Sequence, residues 1–167
     1  MELNFLDLMK KIASLTLLTA LVLSLSWTPS MAQNATGVKY YKGTFDNFLR
    51  EARRDHKPIL IEFWAGWCAP CKKMDTETYQ DAQLSTYVNQ NYLTYRMDIE
   101  SIDGLAIVEK YGIEVFPTLL VADYKGNEIS QLKGFYSPKY LEEVLANLNR
   151  KHNLLILNST DPLVINK

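Results

Sequence analysis

The stretch that decides the fold is residues 59–72, with the sequence ILIEFWAGWCAPCK. It opens on a nearly continuous apolar run, which is typical of a central strand covered on both faces. It ends on both cysteines of the 167-residue chain, Cys68 and Cys71, which are separated by two residues. Two cysteines in this spacing indicate a pair that cycles between dithiol and disulfide.

Two other uses of the cysteine pair are weaker. A Cys-x-x-Cys bridge closes a very small loop, so it restricts the unfolded chain little and would be a poor structural staple. A zinc site needs about four ligands, and the only histidines are His56 and His152, both far along the chain. Reactive use is the better explanation, and we expect no bound metal.

The residues around the pair predict which cysteine attacks. If Cys68 caps the following helix, the helix dipole stabilises its thiolate, which is the form that attacks a disulfide. Pro70 has no N–H, so the backbone N–H of Cys71 becomes the donor to the capping sulfur. We therefore expect Cys68 to be an exposed nucleophile at the helix tip and Cys71, one turn inward, to resolve the mixed disulfide. Trp67 would flank the site as an apolar shelf.

The first residues of the chain have the layout of a secretory signal. Lys10 and Lys11 precede an uncharged run over residues 12–25, and small residues surround Ala32, after which we expect cleavage. The run is shorter than the ~18–20 apolar residues of a membrane-spanning helix; an uncleaved anchor is the alternative. In both cases we expect an exported, periplasmic or otherwise extracytoplasmic protein whose only link to the membrane is this segment.

Length and composition fit one ordinary domain. The formal net charge is −1, so no basic excess points to nucleic acid. We assign residues 1–32 to the signal peptide and residues 33–149 to a single folded domain, large enough to bury a core. Residues 150–167 form a C-terminal tail that the sequence pattern does not place.

The rest of the chain alternates between strand and helix patterns. Strand patterns cover residues 38–41, 59–64, 92–99, 118–122 and 128–132. Helical patterns begin at Thr44, Cys68, Asp81, Ile102 and Ser137. This order predicts an α/β fold with a mixed central β-sheet flanked by helices, ending in a β-hairpin plus helix. Such sheets usually place their chemistry at the carboxyl end of a central strand, where the cysteines stand.

Three motifs in this chain resemble motifs of the thioredoxin family and occur in the same order. The run from Phe63 to Lys72 is similar to the family's active-site motif. The segment Val115–Thr118 resembles the second motif, which implies that Pro117 is a cis-proline facing the cysteines, with Phe116 beside it in the substrate groove. A trans proline in a simple turn is the alternative.

The third motif and the extent of the match complete the resemblance. Residues 133–135 are similar to the glycine-containing loop that completes the groove, which implies a substrate-binding role for Gly134. The resemblance covers residues 39–148 and implies the thioredoxin fold and thiol–disulfide exchange. Residues 72–84 look closer to exported bacterial thioredoxin-like domains, such as the C-terminal domain of transmembrane disulfide reductases.

One position departs from that family's pattern. Thioredoxins usually carry a buried aspartate in the strand before the motif, and the matching residue here is Glu62. A carboxyl buried beneath the cysteines should have a raised pKa and could accept the proton of Cys71 as it attacks. Arg96 matches a lysine of the family, and its permanent charge could instead hold Glu62 ionised. The alternatives are a satisfied buried acid without a catalytic role and a solvated strand arginine.

These expectations lead to an exported thiol–disulfide oxidoreductase that acts on protein disulfides. Pro70 resembles the corresponding residue of reducing family members, which favours the reductive direction. An oxidising compartment would then require an electron donor, for which we expect a membrane thiol carrier. No prosthetic group is implied, because the cysteine pair is itself the redox centre. The alternatives are a disulfide oxidase or isomerase, a metal chaperone, and a non-catalytic module that binds a partner.

Overall fold

The computed structural model describes residues 37–158, with side chains described through residue 153. The predicted signal peptide, residues 1–32, lies outside the described residues, as do residues 159–167 of the predicted tail. In chain order the described elements are α1 (Phe45–Asp55), β1 (Ile59–Trp64), α2 (Ala69–Lys73), a π-helical segment (Met74–Thr78), α3 (Ala82–Asn91), β2 (Leu93–Asp98), α4 (Ile102–Tyr111), β3 (Thr118–Ala122), β4 (Glu128–Lys133) and α5 (Pro138–Asn158).

Several helices begin or end at residues that favour a helix cap. The side chains of Thr44, Cys68 and Asp81 each accept a backbone N–H at the start of α1, α2 and α3. Gly112 ends α4 with φ of 60°, a left-handed conformation that glycine adopts without steric cost. These local signals mark the starts of α1, α2 and α3 and the end of α4.

The four described strands form one mixed sheet in the order β2-β1-β3-β4. β1 pairs in parallel with β2 and antiparallel with β3, while β3 and β4 form the predicted hairpin. β1 is therefore central, as its apolar sequence predicts, and its carboxyl end leads directly to Cys68. The predicted α/β fold with a mixed sheet and a terminal hairpin plus helix is confirmed.

The predicted strand over residues 38–41 is wrong. This segment forms no ladder, because its backbone contacts point to two different elements. The N–H of Val38 donates to the carbonyl of Tyr79 at 3.0 Å, and the N–H of Tyr41 donates to the carbonyl of Thr94 at 2.7 Å. We call residues 38–41 the tether, because single backbone hydrogen bonds connect this segment to Tyr79 and to β2.

Side chains that alternate along β1 divide the core into two clusters. Ile61 and Phe63 belong to the cluster that also contains both cysteines and Phe48 of α1. Leu60 belongs to the second cluster, with residues of α3 and α5. Since side chains of a strand alternate between faces, Glu62 shares the face of Leu60.

α5 continues past Asn149 to Asn158. The hydroxyl of Tyr92 donates to the carbonyl of Leu145 at 2.7 Å, and Asn149 Nδ2 donates to Asn91 Oδ1 at 3.2 Å. These contacts hold α5 against the end of α3. Within residues 37–158, no helix combines the length and the apolar character that crossing a membrane requires.

Candidate active site

Cys68 and Cys71 form a disulfide at the start of α2, with Cα atoms 5.3 Å apart. Cys68 has an extended backbone and caps the helix, and the N–H of Cys71 donates to its Sγ at 3.2 Å. Pro70 lies in the first turn, where a missing N–H costs little. The capping geometry is the one that the sequence predicts.

The predicted exposure of Cys68 is wrong. Cys68 is only 2% exposed, although the adjacent Trp67 is 64% exposed. The disulfide directs the Cys68 sulfur toward Cys71, and Phe116 packs against the buried cluster that contains both cysteines. The sulfur of the oxidised form is therefore covered.

The predicted groove residues are connected to one another by contacts that start at Trp67, the residue before Cys68. The Phe116–Pro117 peptide bond is cis. The rings of Trp67 and Phe116 meet edge to face with centroids 6.1 Å apart. Gly134 has φ of 89° and donates its N–H to the carbonyl of Pro117 at 2.8 Å, so the third motif is anchored to the second.

Glu62 is a buried carboxyl, 1% exposed, in the strand that leads to the cysteines. Its Oε2 accepts a hydrogen bond from the hydroxyl of Tyr40 at 2.7 Å and lies 3.3 Å from Nε of Arg96. Burial raises the pKa of Glu62 to about 7, although Arg96 and the hydrogen bond from Tyr40 act to lower it. Glu62 can thus exchange a proton near neutral pH.

Arg96 is held in place, so its interpretation as a solvated strand residue is wrong. Its side chain is 25% exposed, and its Nη2 donates to Asp75 Oδ2 at 2.8 Å. The guanidinium also stacks over the ring of Trp64, 4.2 Å from its centroid. Arg96 and Glu62 form an ion pair without a hydrogen bond, because Arg96 Nε has no hydrogen-bond partner among the described residues.

Glu62, Arg96, Tyr40 and Asp75 form one polar cluster. The sequence pattern does not predict two of its members. Tyr40 stands in the segment that resembles a strand, and Asp75 stands one turn after Cys71 in the π-helical segment. Each reaches a partner 21 or 22 positions away. No local sequence pattern signals such pairs. The structure alone shows the π-helical segment, a feature common at functional sites. Across residues 37–158, no group of three or more His, Cys, Asp or Glu side chains could hold a metal ion.

Residues 45–149 match the family described as Thioredoxin-like domain. The thiol:disulfide interchange protein DsbD of Photorhabdus laumondii is 28% identical over 99 residues, covering 58% of this chain and 17% of DsbD. Thioredoxin C-2 of Corynebacterium nephridii is 33% identical over 86 residues, covering 52% of this chain and 73% of that protein. The chain thus spans about a sixth of the length of the DsbD relative and about three quarters of the thioredoxin.

The fold agrees with a solved relative. The oxidised C-terminal domain of DsbD from Neisseria meningitidis superposes with a TM-score of 0.55 at 21% identity, covering 65% of this chain and 98% of that domain. Because the family match spans more than half of the chain and includes its cysteine pair, the protein belongs to the thioredoxin-like domain family.

Proposed function

We propose that the protein is an exported thiol–disulfide oxidoreductase that reduces disulfide bonds of extracytoplasmic proteins. The observation that carries the proposal is the Cys68–Cys71 disulfide at a helix start, with Phe116, which precedes the cis-proline Pro117, packed against the buried cluster that contains both cysteines. The signal-like pattern of residues 1–32 supports export. Pro70 supports the reductive direction through its resemblance to reducing family members.

The reaction begins with the pair as a dithiol. The Cys68 thiolate attacks one sulfur of a substrate disulfide, so that a new S–S bond forms and the other substrate sulfur leaves as a thiolate. Cys71 then attacks Cys68 Sγ, loses its thiol proton to the Glu62 carboxylate, and releases the first substrate sulfur as a thiolate. Two electrons pass from the pair to the substrate, both substrate thiolates take protons from water, and the Cys68–Cys71 disulfide remains.

Glu62 suits the role of proton acceptor because burial raises its pKa while Arg96 and the hydrogen bond from Tyr40 act to lower it. A general base works best when its pKa lies near the working pH, and the pKa of Glu62 is raised to about 7. The chain Glu62–Arg96–Asp75 connects the carboxyl to the segment that follows Cys71.

The groove supplies the binding surface for the substrate. Trp67 offers an exposed apolar ring, and Phe116 contacts it. Pro117 and Gly134 are adjacent through a backbone hydrogen bond. We assign to these four residues the contact with the polypeptide on either side of the substrate cysteine.

The enzyme needs a reductant after each turnover. We propose a membrane thiol carrier with two thiols. One carrier thiolate attacks Cys68 Sγ and releases Cys71 as a thiolate; the second carrier thiolate then attacks the carrier sulfur of this mixed disulfide and releases Cys68, so that the pair returns to the dithiol and the carrier keeps a disulfide. DsbD, a relative, is named a thiol:disulfide interchange protein, which supports exchange between protein thiols as the chemistry. The cysteine pair carries both electrons, so the proposed cycle uses no prosthetic group.

Insulin reduction with dithiothreitol as the reductant tests the activity. We expect the wild-type protein to accelerate precipitation of the insulin chains and Cys68→Ala to return the rate to that of dithiothreitol alone. Equal acceleration by Cys68→Ala would overturn the catalytic proposal and favour a module that only binds a partner.

Equilibration with glutathione buffers tests the direction. A reductase should have a reduction potential more negative than the glutathione couple. A potential well above that couple would instead make the protein an oxidase or isomerase of exported proteins. Intact mass after alkylation reports the fraction of dithiol at each ratio of reduced to oxidised glutathione.

A further inference from the structure

His152 is a buried histidine near the end of α5 that the proposed exchange reaction does not use. It is 3% exposed, whereas Lys151 and Asn153 on either side of it are exposed. Arg150 is exposed as well, so His152 is the one buried side chain among the described residues 150–153. In the described part of this helix end, contact with the domain therefore depends on His152.

The imidazole of His152 packs against Tyr124, which is itself buried. The two rings meet edge to face with centroids 6.4 Å apart. Tyr124 also contacts the ring of His56, the residue that caps the end of α1, with centroids 4.9 Å apart. We call His56, Tyr124 and His152 the aromatic cluster, because the ring of Tyr124 connects a histidine of α5 to a histidine at the end of α1.

The aromatic cluster stands at the end of the sheet opposite to the cysteines. His56 comes just before β1 begins at Ile59, and Tyr124 comes just after β3 ends at Ala122. Ile59 and Ala122 are paired in register, so both histidine and tyrosine follow from the same end of the sheet. The cysteines follow the other end of β1, about 20 Å away for a strand of this length. The cluster is therefore separate from the thiol site.

Both ring nitrogens of His152 are buried and make no hydrogen bond to a described residue. A neutral imidazole leaves one donor and one acceptor unpaired in such a place, whereas an imidazolium buries a charge. Burial of an unpaired charge costs more than burial of a neutral polar group. The surroundings therefore favour the neutral ring, and burial lowers the pKa of His152 from its ordinary value of 6.5.

Asp123, in the turn between β3 and β4, is the carboxylate that acts on His152. Its Oδ1 accepts the backbone N–H groups of Lys125 and Asn127, each at 2.8 Å, and its Oδ2 accepts Asn127 Nδ2 at 2.8 Å. Both oxygens thus hold the turn together. Asp123 acts to raise the pKa of His152, but burial is the larger effect.

The other groups around the imidazole do not neutralise a positive charge either. Lys125 Nζ lies 5.3 Å from the centroid of the Tyr124 ring, so one cation already stands over the ring that His152 contacts. His56 brings a second ionisable imidazole to that ring. On α5 itself, the side chain of Asn153 acts to raise the pKa but is exposed, and the two residues before His152 are cations.

We propose that the aromatic cluster is a pH-sensitive latch, which holds the end of α5 against the domain while His152 is neutral and releases it when His152 is protonated. A protonated imidazole gains its hydration only by leaving Tyr124, and the helix end that carries it leaves with it. This device goes beyond the proposed function, because it lies apart from the cysteines and needs no thiol chemistry.

Release stops at Asn149, because the earlier part of α5 has its own contacts. Leu141 and Leu145 are fully buried, and the hydroxyl of Tyr92 donates to the carbonyl of Leu145 at 2.7 Å. Asn149 is hydrogen-bonded to α3 at 3.2 Å. None of these groups changes its charge between pH 5 and pH 8. The segment that the latch controls therefore begins at Arg150.

The direction of the pH effect follows from the lowered pKa. Above about pH 6.5, the histidine is neutral in both the docked and the released helix end, so docking does not depend on pH. Below that pH, the released end takes up a proton and the docked end does not until its own lower pKa is reached. Docking therefore weakens as pH falls, by at most about tenfold per pH unit.

Amide hydrogen exchange of the full chain, corrected for the intrinsic rate at each pH, measures the docking. We expect the protection factors of residues 150–153 to be constant from pH 8 to pH 7 and to fall up to about tenfold between pH 6.5 and pH 5.5. Amides of β1 should show no such fall. His152→Phe keeps an aromatic ring that cannot take up a proton, so its protection should not depend on pH.

His56→Asn is the matched control. It removes the other imidazole of the cluster at a position with φ of 51°, a left-handed conformation that asparagine tolerates. This variant should keep the fall in protection below pH 6.5. Since His56 and His152 are the two histidines of the chain, the imidazole signal that remains in the NMR spectrum of His56→Asn belongs to His152 and should titrate with a midpoint below 6.5.

Three outcomes overturn the latch. The first is a protection of residues 150–153 in wild type that does not fall between pH 6.5 and pH 5.5. The second is a folded His152→Phe whose protection falls as steeply as that of wild type. The third is an NMR midpoint of His152 at or above 6.5, a measurement that decides the matter even if His152→Phe does not fold.

Discussion

The backbone N–H of Cys71 donates a hydrogen bond to Cys68 Sγ across 3.2 Å, at the N-terminus of α2. In the dithiol form the same donor is available to a thiolate at Cys68, and hydrogen bonds to a charged form favour that form. The two cysteines are therefore not equivalent: Cys68 receives the stabilisation, and Cys71 provides it.

Reactivity of the reduced protein should reflect this difference. We expect Cys68 to be alkylated by iodoacetamide at pH 6 much faster than free cysteine, whose thiol is mostly protonated below about pH 8.5. Cys71 should react more slowly because its backbone N–H provides this hydrogen bond to Cys68 Sγ, and its own sulfur does not receive it. Peptide mapping after brief alkylation gives both rates; a Cys68 that reacts no faster than free cysteine would contradict the capping argument.

Glu62 should make stability fall as pH rises. Its folded pKa is about 7, against about 4.3 in an unfolded chain. The folded state keeps the proton between these values and the unfolded state does not, so up to about 3 kcal/mol of stability is lost from pH 4.5 to pH 7. Urea unfolding at several pH values measures this loss of unfolding free energy.

Glu62→Gln isolates that contribution. His152 contributes an opposite slope, because burial lowers its pKa and the unfolded chain binds that proton more readily as pH falls. Both proteins share the His152 term, so the difference between wild type and Glu62→Gln should change steadily across this window. A constant difference would show that the pKa of Glu62 is not raised.

Gly104 should not tolerate a side chain. A Cβ at this position would clash with the backbone carbonyl oxygen of Asp98, and overpacking of this kind costs about 1–3 kcal/mol. We expect Gly104→Ala to lower the free energy of unfolding by that amount. Gly66→Ala is the control, since a Cβ there meets nothing within 4 Å; equal effects of the two substitutions would contradict the packing.

Trp67 should matter for binding and not for stability. Its side chain is 64% exposed and contacts Phe116 at the groove. We expect Trp67→Ala to lower kcat/KM on insulin about tenfold, the loss expected for an aromatic anchor, and to leave the rate on a small aromatic disulfide nearly unchanged. Equal losses on both substrates would place Trp67 in the chemistry instead.

Local sequence signals predict the parts of the fold that depend on local chemistry. Thr44 and Asp81 cap helices because each side chain accepts the backbone N–H of the residue three positions later. Both partners of such a bond are neighbours in the sequence, so the pattern can be recognised there. The central position of β1 follows from its nearly continuous apolar run, interrupted only by Glu62. The resemblance to thioredoxins, rather than any local pattern, predicts the cis bond before Pro117.

The parts that depend on distant partners could not be predicted in this way. The strand pattern of residues 38–41 is genuine, but a strand forms only when a continuous partner is present, and Val38 and Tyr41 bond to different elements. Cys68 is bonded to Cys71 and belongs to a buried cluster whose other members come from distant parts of the chain. The contacts of Glu62 with Tyr40 and Arg96 join residues that are far apart in the chain, so only the folded structure reveals them.

The most direct test of the exchange mechanism is to trap its intermediate. Cys71→Ser removes the resolving thiol, so a reduced Cys71→Ser variant incubated with a protein disulfide should accumulate one mixed disulfide, mapped by mass spectrometry to Cys68 and released by dithiothreitol. A folded Cys71→Ser that forms no such adduct, or a Cys68→Ser variant that forms it through Cys71 at a similar rate, would contradict the account.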